Sequence, residues 1–260
     1  MSFEGTKYII IGGTSGMGRA SALALESKGA KVLVVGKDQA SCDKIEEELN
    51  NESILMCANA TDPDTIRSAI EQAHARWGRV DGLFHVAGGS GRKFGDGPLH
   101  ELTVEGWNKT FELNLTSLML SNQAMVQYFL KHKQKGKILN MSSVLAYSPS
   151  PEYFVTHAYA AAKSAIIGFS KSIAAYYASN DICVNVIAPG LMSTPMAQRA
   201  MKNDDIQKFL KTKQPLDGGR AGMSDDIVNA VLMFLAPDSN FMTGQVLAVD
   251  GGWSISEGQY

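Results

Sequence analysis

Near its start the chain reads Tyr8-Ile9-Ile10-Ile11-Gly12-Gly13-Thr14-Ser15-Gly16-Met17-Gly18. The apolar, mostly β-branched residues predict a buried strand, and the glycines after them predict a tight turn into a helix that runs to about Lys28. A second apolar run, Lys31-Val32-Leu33-Val34-Val35, predicts the next strand. Together the three elements predict one strand–helix–strand unit with parallel strands.

Short apolar runs and longer helical patterns alternate along the rest of the chain. Because strands that are buried on both faces read as continuous apolar runs, this alternation predicts a single α/β domain over residues 1–260. Its sheet should be parallel and doubly wound, with helices on both faces and ligands at the carboxyl ends of the strands. The further predicted strands are 53–57, 82–86, 137–141, 183–187 and 246–249, and the further predicted helices are about 62–76, 104–132, 158–178 and 224–235.

Composition excludes several classes of function. The 260 residues carry a formal net charge of −2, which gives no electrostatic basis for binding nucleic acid or anionic lipid, so we expect a small-molecule partner. Cys42, Cys57 and Cys183 are widely spaced and lack His-rich companions, a pattern that predicts neither disulfides nor a metal site. The sequence has no basic leader with an apolar stretch and no run of about 18 apolar residues, which predicts a cytoplasmic protein without a membrane span.

The glycine-rich loop has the features of a phosphate-binding turn. Gly12, Gly16 and Gly18 follow a strand and open a helix, where missing side chains let a pyrophosphate approach backbone N–H groups and the helix dipole. The spacing G-x-x-x-G-x-G differs from the G-x-G-x-x-G fingerprint, and a turn that only packs helix against strand is the alternative. We predict a dinucleotide-binding loop made of Gly12, Thr14, Ser15, Gly16, Met17 and Gly18.

A tyrosine and a lysine form the most informative pair of polar residues. Tyr159 and Lys163 are four residues apart in a predicted helix and therefore stand on one face. A phenol titrates at about 10, so a lysine held close would lower its pKa and make it a usable acid or base near neutral pH. Asn114 and Ser143 are two further polar candidates. Taken alone, each candidate has a structural alternative, since Tyr159 can be a core aromatic, Asn114 can bond within a helix and Ser143 can bond backbone at a strand end.

Taken in order, these motifs resemble the short-chain dehydrogenase/reductase family across nearly the whole chain. The resemblance implies a Rossmann-like fold and assigns a place to each motif. The matching segments are the glycine loop, Phe111-Glu112-Leu113-Asn114 for the catalytic Asn, Ser143 for the catalytic Ser, Tyr159 and Lys163 for Y-x-x-x-K, Pro189-Gly190 with Thr194-Pro195 around the nicotinamide, and Asp250-Gly251-Gly252 as the closing motif.

The resemblance implies an enzyme that interconverts a carbonyl and a secondary alcohol by hydride transfer with NAD(P), without a metal. Tyr159 would be the acid or base, Ser143 would hold the reacting oxygen, Lys163 would lower the pKa of Tyr159 and bond the nicotinamide ribose, and Asn114 would hold a relay water. Two alternatives stay open, a cofactor-binding scaffold or sensor without turnover and an enoyl reductase. The four residues together favour the enzyme that acts on CH–OH groups.

Two segments depart from the family pattern. Ser143 and Tyr159 are sixteen residues apart, which is longer than is common in the family, so Ser142 stays an alternative to Ser143. The extra loop carries Tyr147, Tyr153 and Phe154, which either contact an apolar substrate or belong to a surface loop.

The second departure is His85-Val86-Ala87-Gly88, which stands where the family has Asn-Asn-Ala-Gly. Ala87 and Gly88 keep room for the cofactor ribose. We expect His85, at a buried strand end, to be structural.

The end of the second strand indicates the choice of cofactor. Gly36 stands where a carboxylate would accept bonds from the adenosine ribose of NAD, and Lys37 can pair with the 2′-phosphate of NADP. NADP(H) is therefore favoured, while Asp38 keeps NAD(H) open. Asn59 and Ala60 are expected beside the adenine, and Pro189, Gly190 and Thr194 beside the nicotinamide.

Less regular segments are expected around the substrate. Residues 191–222 are predicted to form a lid, in which methionines either line an apolar pocket or fill gaps in ordinary packing. The glycine-rich segment 89–97 is expected to be a mobile flap, with Arg92 and Lys93 either facing an anionic substrate or solvated. The partner is expected to be a small carbonyl or alcohol compound, and the resemblance implies a homodimer or homotetramer.

Overall fold

The computed structural model describes residues 1–258, so the last two residues of the predicted domain lie outside it. Its strands are β1 (Lys7–Ile11), β2 (Lys31–Gly36), β3 (Ile54–Cys57), β4 (Gly82–His85), β5 (Gly136–Met141), β6 (Ile182–Pro189) and β7 (Val246–Val249). All seven form one parallel sheet in the order β3-β2-β1-β4-β5-β6-β7. The order reverses between β1 and β4, which opens a crevice at their carboxyl ends. The predicted doubly wound α/β fold is confirmed.

Helices cover both faces of the sheet. They are α1 (Gly16–Ser27), α2 (Gln39–Glu46), α3 (Pro63–Trp77), α4 (Val104–Phe111), α5 (Ser117–His132), α6 (His157–Tyr177), α7 (Gln198–Met201), α8 (Asp204–Lys213) and α9 (Val228–Leu235). One core cluster joins the sheet to α1, α2 and α9, and a second joins it to α3, α5 and α6. None of the helices in residues 1–258 combines the length and the apolar character that crossing a bilayer requires.

Alternation along β1 shows why this run folds as a central strand. Tyr8 and Ile10 belong to the first core cluster, whereas Ile9 and Ile11 belong to the second. Successive strand side chains point to opposite faces, so a strand covered on both sides needs apolar residues at every position. The same condition explains β6, in which all residues are buried.

The observed elements correct several predicted bounds. The helix predicted over 104–132 is divided into α4, one π-helical turn at Glu112–Thr116, and α5. The helix predicted over 224–235 begins with a 3₁₀ turn at Ser224–Ile227 before α9. The helix α2 was not predicted, because Cys42 and Ile45 are its only buried residues and its apolar periodicity is correspondingly weak.

The turn between β1 and α1 is compact because it lacks side chains. Gly12 adopts φ +87°, and a Cβ there would stand 2.6 Å from the backbone nitrogen of Ala87. A Cβ on Gly18 would overlap the carbonyl oxygen of Gly12. Both glycines therefore let the first helix turn pack directly against the ends of β1 and β4.

We predict that Gly18→Ala lowers the free energy of unfolding by about 1–3 kcal/mol, because its methyl group has to displace backbone. Gly168→Ala is the matched control, since Gly168 lies in α6 and a Cβ there meets no atom within 4 Å. That control should raise the stability by about 0.5–1 kcal/mol. Urea unfolding of both variants tests the prediction, which fails if the two variants are equally stable.

Candidate active site

The crevice at the sheet reversal contains a cleft of about 250 Å³. Backbone of the glycine loop forms its floor, and the ends of β2, β3 and β4 form its walls. The predicted cofactor residues that line this cleft are Gly12, Thr14, Ser15, Gly16, Met17, Gly18, Lys37, Asn59, Ala60, Ala87, Gly88 and Thr194. Pro189 and Gly190 instead line the adjoining cavity. The structure therefore brings the predicted cofactor residues together around one continuous space.

The glycines of the loop have different roles. Gly12 and Gly18 are needed for contacts within the protein, whereas Gly16 adopts φ +52° and faces Thr194, whose Cγ2 would be 3.4 Å from an added Cβ. Gly16 is thus the glycine that keeps the mouth of the cleft open. Since α1 begins at Gly16, the free N–H groups of its first turn and its positive dipole end border the cleft.

The end of β2 has a specific charge arrangement. A Cβ on Gly36 would overlap the side chain of Thr14, so a carboxylate at this position is sterically unfavourable. Lys37 is exposed, lines the cleft and has no ion pair within residues 1–258. Asp38 caps α2, because its Oδ1 accepts hydrogen bonds from Ser41 N at 3.0 Å and Ser41 Oγ at 2.7 Å. These bonds hold the pKa of Asp38 below its usual value.

A second cavity, of about 660 Å³, adjoins the cleft. Ser143, Tyr159 and Lys163 line it, while Asn114 lies fully buried behind Gly88 and Gly89. The two spaces share several lining residues, which are Met17, Lys37, Val86, Gly88, Leu113, Thr194, Pro195 and Met196. A molecule in the cleft can therefore contact a molecule in the cavity.

The structure distinguishes between the two candidate serines. Ser142 Oγ donates a hydrogen bond to the carbonyl oxygen of Lys163 at 2.8 Å, so its hydroxyl ties β5 to α6. The hydroxyl of Ser143 instead interacts with Tyr159, and it also accepts a bond from Leu145 N at 3.2 Å. Ser143 is thus the serine whose hydroxyl lies with Tyr159 and Lys163 at the cavity wall.

Burial shifts the pKa values of both Tyr159 and Lys163. Burial raises the pKa of Tyr159 to about 12, and the hydrogen bond with Ser143 only partly opposes this shift. Burial also lowers the pKa of Lys163 to about 7. The Lys163 ammonium stands 5.5 Å from the centre of the Tyr159 ring and donates to Met141 O at 3.0 Å. Burial is therefore the largest influence on the pKa of both groups.

Asn114 owes its position to the π-helical turn. The extra residue of this turn directs the side chain toward the segment after β4, where Nδ2 donates to Gly89 O at 2.8 Å and Oδ1 accepts from Gly89 N at 3.1 Å. A Cβ on Gly88 would stand 2.6 Å from Asn114 Oδ1 and 3.4 Å from Lys163 Nζ. Gly88 thus allows the amide and the ammonium to approach the same small space. Single-turn π-bulges often occur at functional sites.

His85 has the structural role expected of it. The residue is fully buried, its Nδ1 bonds Ser121 Oγ at 2.7 Å, and its Nε2 lies 3.4 Å from Ser117 Oγ. Burial, with a smaller contribution from the charge of Lys163, lowers its pKa to about 3. The ring is therefore neutral at ordinary pH and fills a space between β4 and α5.

Asp96 positions the N-terminus of α6, and sequence reasoning missed it. This buried carboxylate accepts hydrogen bonds from Ala158 N and Tyr159 N, both at 3.0 Å. The segment 89–97 is thus anchored at one end by Asn114 and at the other by Asp96, which disagrees with the expectation of a mobile flap. An isolated Asp between glycines offers no periodicity that would have revealed this contact.

Backbone hydrogen bonds join the two ends of the predicted lid. Met192 and Gly222 form a bridge, with Ser193 N donating to Gly222 O at 2.6 Å and Gly222 N donating to Leu191 O at 2.9 Å. Buried Gln214, another residue that sequence reasoning missed, accepts from Leu191 N at 3.0 Å. The segment contains α7 and α8, although it was expected to be irregular.

Not every methionine of this region faces the cavity. Met192 and Met196 line it, whereas Met201 packs in a third apolar cluster beside the lid. Met223 is exposed and outside the cavity. The interpretation of the methionines as pocket residues therefore holds for two of the four.

The long loop before Tyr159 packs against the lid. Phe154 lines the cavity and stands edge-on to Trp253 at 5.6 Å between ring centres, while Tyr153 packs on Phe209 at 5.1 Å. Tyr147 is exposed and does not line the cavity. Trp253 Nε1 donates to Ser148 O at 3.1 Å, which pins the loop. Of the three aromatic candidates, Phe154 is the one that borders the cavity.

No metal centre is evident in the part of the chain that the structure describes. Residues 1–258 contain no group of three or more His, Cys, Asp or Glu side chains that could hold a metal ion. Cys42, Cys57 and Cys183 are free thiols.

Comparison with known proteins identifies the family. Residues 12–254 match a family model described as Enoyl-(Acyl carrier protein) reductase. The chain is 34% identical over 252 residues to the 3-oxoacyl-[acyl-carrier-protein] reductase FabG of Escherichia coli, covering 97% of this chain and 98% of that relative. The chain belongs to the short-chain dehydrogenase/reductase family.

Solved structures agree with this assignment. A short-chain type dehydrogenase/reductase from Mycobacterium ulcerans superposes with a TM-score of 0.87 at 27% identity, covering 98% of this chain and 92% of that one. A 3-ketoacyl-(acyl-carrier-protein) reductase from Brucella melitensis, complexed with NADH, gives 0.85 at 25% identity, with 98% and 100% covered. This short-chain dehydrogenase/reductase is an NAD(P)-dependent oxidoreductase of carbonyl and alcohol groups, and the enoyl reductase alternative is not favoured.

We predict that Asp96→Asn weakens the cap of α6, because an amide keeps only one of the two acceptor oxygens. The loss should be about 1 kcal/mol of unfolding free energy, together with roughly a tenfold or greater loss of turnover, since Tyr159 moves with the helix end. Chemical unfolding and steady-state kinetics measure the two effects.

Asp62→Asn is the control, because Asp62 caps α3 through Asp64 N and does not line the site. It should leave turnover unchanged. Equal turnover of the two variants would contradict a positioning role for Asp96.

Proposed function

We propose that this enzyme reduces a small-molecule ketone to a secondary alcohol with NADPH, with Tyr159 as the proton donor. One observation carries the proposal. Tyr159, Ser143 and Lys163 converge on the wall of a cavity that is continuous with the glycine-lined cleft. A nicotinamide at the junction and a carbonyl compound in the cavity would both be within reach of this wall.

The cleft fits a dinucleotide in several respects. The open mouth at Gly16 and the N-terminus of α1 suit a pyrophosphate, because backbone N–H groups and the helix dipole favour an anion there. Asn59 and Ala60 border the place proposed for the adenine, and Pro189, Gly190 and Thr194 border the place proposed for the nicotinamide. When bound, the nicotinamide supplies the hydride.

Protonation states favour the reduction direction. A phenol with a pKa of about 12 is protonated at neutral pH, so Tyr159 is ready to donate its proton to a carbonyl oxygen. Ser143, which bonds Tyr159, would hold the same oxygen. Lys163, with a pKa of about 7, would take up a proton and stabilise the phenolate that forms. Asn114, fixed beside Gly88, would hold a water that returns protons to Lys163.

The environment of Lys37 supports NADP(H) over NAD(H). Lys37 has no ion pair among residues 1–258, Gly36 excludes a carboxylate, and Asp38 is engaged in capping α2. An exposed ammonium at the end of β2 is a suitable environment for the 2′-phosphate. NAD(H) would bind through the rest of the cleft but would leave Lys37 without a partner.

The cavity supports a substrate with an apolar part. Leu145, Phe154, Met192, Met196 and Trp253 line it, and the lid over residues 191–222 would cover it. Exposed aromatic residues on helices, among them Trp107 on α4 and Tyr176 on α6, support a homodimer or homotetramer. Three free thiols within residues 1–258 support a reducing cytoplasmic compartment.

Tyr159→Phe should lower kcat by roughly 10²–10⁴-fold, because the proton donor is lost. Nicotinamide fluorescence should show NADPH affinity within about twofold of the wild type, since the ring remains and no group at the cleft changes. Tyr147→Phe is the matched control, since Tyr147 is exposed outside the cavity, and it should leave kcat unchanged. Near-normal turnover of Tyr159→Phe would contradict the proposed role.

Lys37→Ala should weaken NADPH binding about ten- to hundredfold, because a charge-assisted bond to the 2′-phosphate is lost. NADH affinity should change less than about twofold, because NADH lacks that phosphate. Lys44→Ala, on the exposed side of α2 and outside the cleft, is the control and should affect neither cofactor. An equal loss of affinity for both cofactors in Lys37→Ala would show that Lys37 does not contact the phosphate.

A further inference from the structure

We propose that the substrate carries an oxyanion, either a carboxylate or a phosphate, which Arg92 and Arg199 bind at the rim of the cavity. This inference deepens the proposed function, on which it rests, by naming a substrate class. It depends on the distribution of charged side chains around the cavity. Neither the fold nor the proposed proton transfer requires this distribution.

The charged side chains that line the 660 Å³ cavity are all basic. Lys37, Arg92, Lys93, Lys163 and Arg199 line it, and no aspartate or glutamate among residues 1–258 does. The whole chain has a formal net charge of −2, so this excess of cations is local. A concave wall with one sign of charge attracts ligands of the opposite sign.

Arg92 is the central residue of this subsite. It lies in the 3₁₀ turn Gly91–Phe94 after β4, exposed to the cavity, and its guanidinium has no hydrogen bond or ion pair among residues 1–258. Burial and the like charge of Arg199 lower its pKa, whereas Asp96 raises it. A guanidinium stays charged under such shifts, so Arg92 presents an unpaired cation to the cavity.

Asp96 does not neutralise Arg92. Both of its oxygens accept hydrogen bonds from the backbone of α6, at Ala158 N and Tyr159 N, and it forms no ion pair within residues 1–258. Asp96 therefore acts on Arg92 through its charge alone, without an ion pair. Both of its acceptor oxygens are already used in capping α6.

Arg199 lines the same cavity as Arg92. It lies in α7 of the lid, and its Nη2 donates to Tyr153 O at 2.9 Å, which holds the side chain against the loop before Tyr159. Two like charges from separate segments thus line one cavity and repel each other, and neither has an ion pair in the described part of the chain. An oxyanion between them would relieve this repulsion, and planar guanidinium groups bind carboxylate and phosphate in a bidentate manner.

The anion belongs to the substrate and not to the cofactor. Arg92 and Arg199 are absent from the wall of the glycine-lined cleft, where Lys37 serves the adenosine end. They share the cavity with Ser143 and Tyr159, on which the carbonyl is placed. A compound with a carbonyl at one end and an oxyanion at the other would contact both groups.

Matched pairs of ketones test the inference. Levulinate against methyl levulinate and acetoacetate against methyl acetoacetate probe a carboxylate, and dihydroxyacetone phosphate against dihydroxyacetone probes a phosphate. With NADPH, kcat/KM should favour the anionic member of at least one pair by about tenfold or more. In Arg92→Gln and Arg199→Gln, this ratio should fall by about tenfold or more, chiefly through KM.

Arg67→Gln is the matched control, because Arg67 is exposed on α3, pairs with Asp64 and lies away from the cavity. It should keep the wild-type ratio. A preference for the carboxylate pairs or for the phosphate pair identifies the source of the anion. Ratios near one in the wild type, or ratios unchanged in both arginine variants, overturn the inference while the turnover of ketones still supports the proposed function.

A binding measurement separates the two proposals if no ketone is reduced. Isothermal titration of the NADPH-saturated enzyme with succinate, dimethyl succinate and inorganic phosphate needs no turnover. Succinate or phosphate should bind to the wild type, and Arg92→Gln should weaken that binding by about tenfold or more. Absence of binding by both anions overturns the oxyanion subsite. Binding without reduction of any ketone supports the subsite and contradicts the proposed reaction.

Discussion

The attachment of α6 to the carboxyl end of β5 is the constraint on which the rest of the site depends. Lys163 makes this attachment twice, because its Nζ donates to Met141 O at 3.0 Å and its own carbonyl oxygen accepts from Ser142 Oγ at 2.8 Å. Asp96 holds the first turn of the same helix through the backbone of Ala158 and Tyr159. Tyr159 is therefore fixed between a strand end and a capped helix N-terminus, and a proton donor has to be held this closely to act on one oxygen.

The same attachment explains the electrostatics of the site. The attachment buries Lys163, which disfavours its charged form, and the buried phenol resists ionisation for the same reason. The neutral state of His85, whose pKa of about 3 reflects burial and the nearby lysine, keeps a second positive charge out of the core. Burial therefore disfavours the charged forms of all three groups.

Sequence patterns revealed the parts of this structure that repeat or obey a local rule. The seven strands were predicted within about two residues because each is a short apolar run, which in β1 and β6 is buried on both faces. The glycine loop was recognisable because backbone packing at Gly12 and Gly18 tolerates no side chain. By contrast, Asp96 and Gln214 act through hydrogen bonds between segments distant in sequence, 62 residues apart for Asp96 and Ala158 and 23 residues apart for Gln214 and Leu191. The π-helical turn that positions Asn114 also has no local signature, since one extra residue leaves the helical pattern on both sides intact.

The long segment between Ser143 and Tyr159 shows how a departure from the family pattern can be accommodated. Its length is compatible with the fold because part of the loop packs on buried residues, chiefly Trp253. Tyr153 and Phe154 belong to this third apolar cluster, which also contains Phe209 of α8. The loop and the lid are therefore packed together, so that a change in either one alters the shape of the cavity. Because neither contributes to the sheet, this half of the site is free to vary with the substrate while β5 and α6 keep the tyrosine and lysine in place.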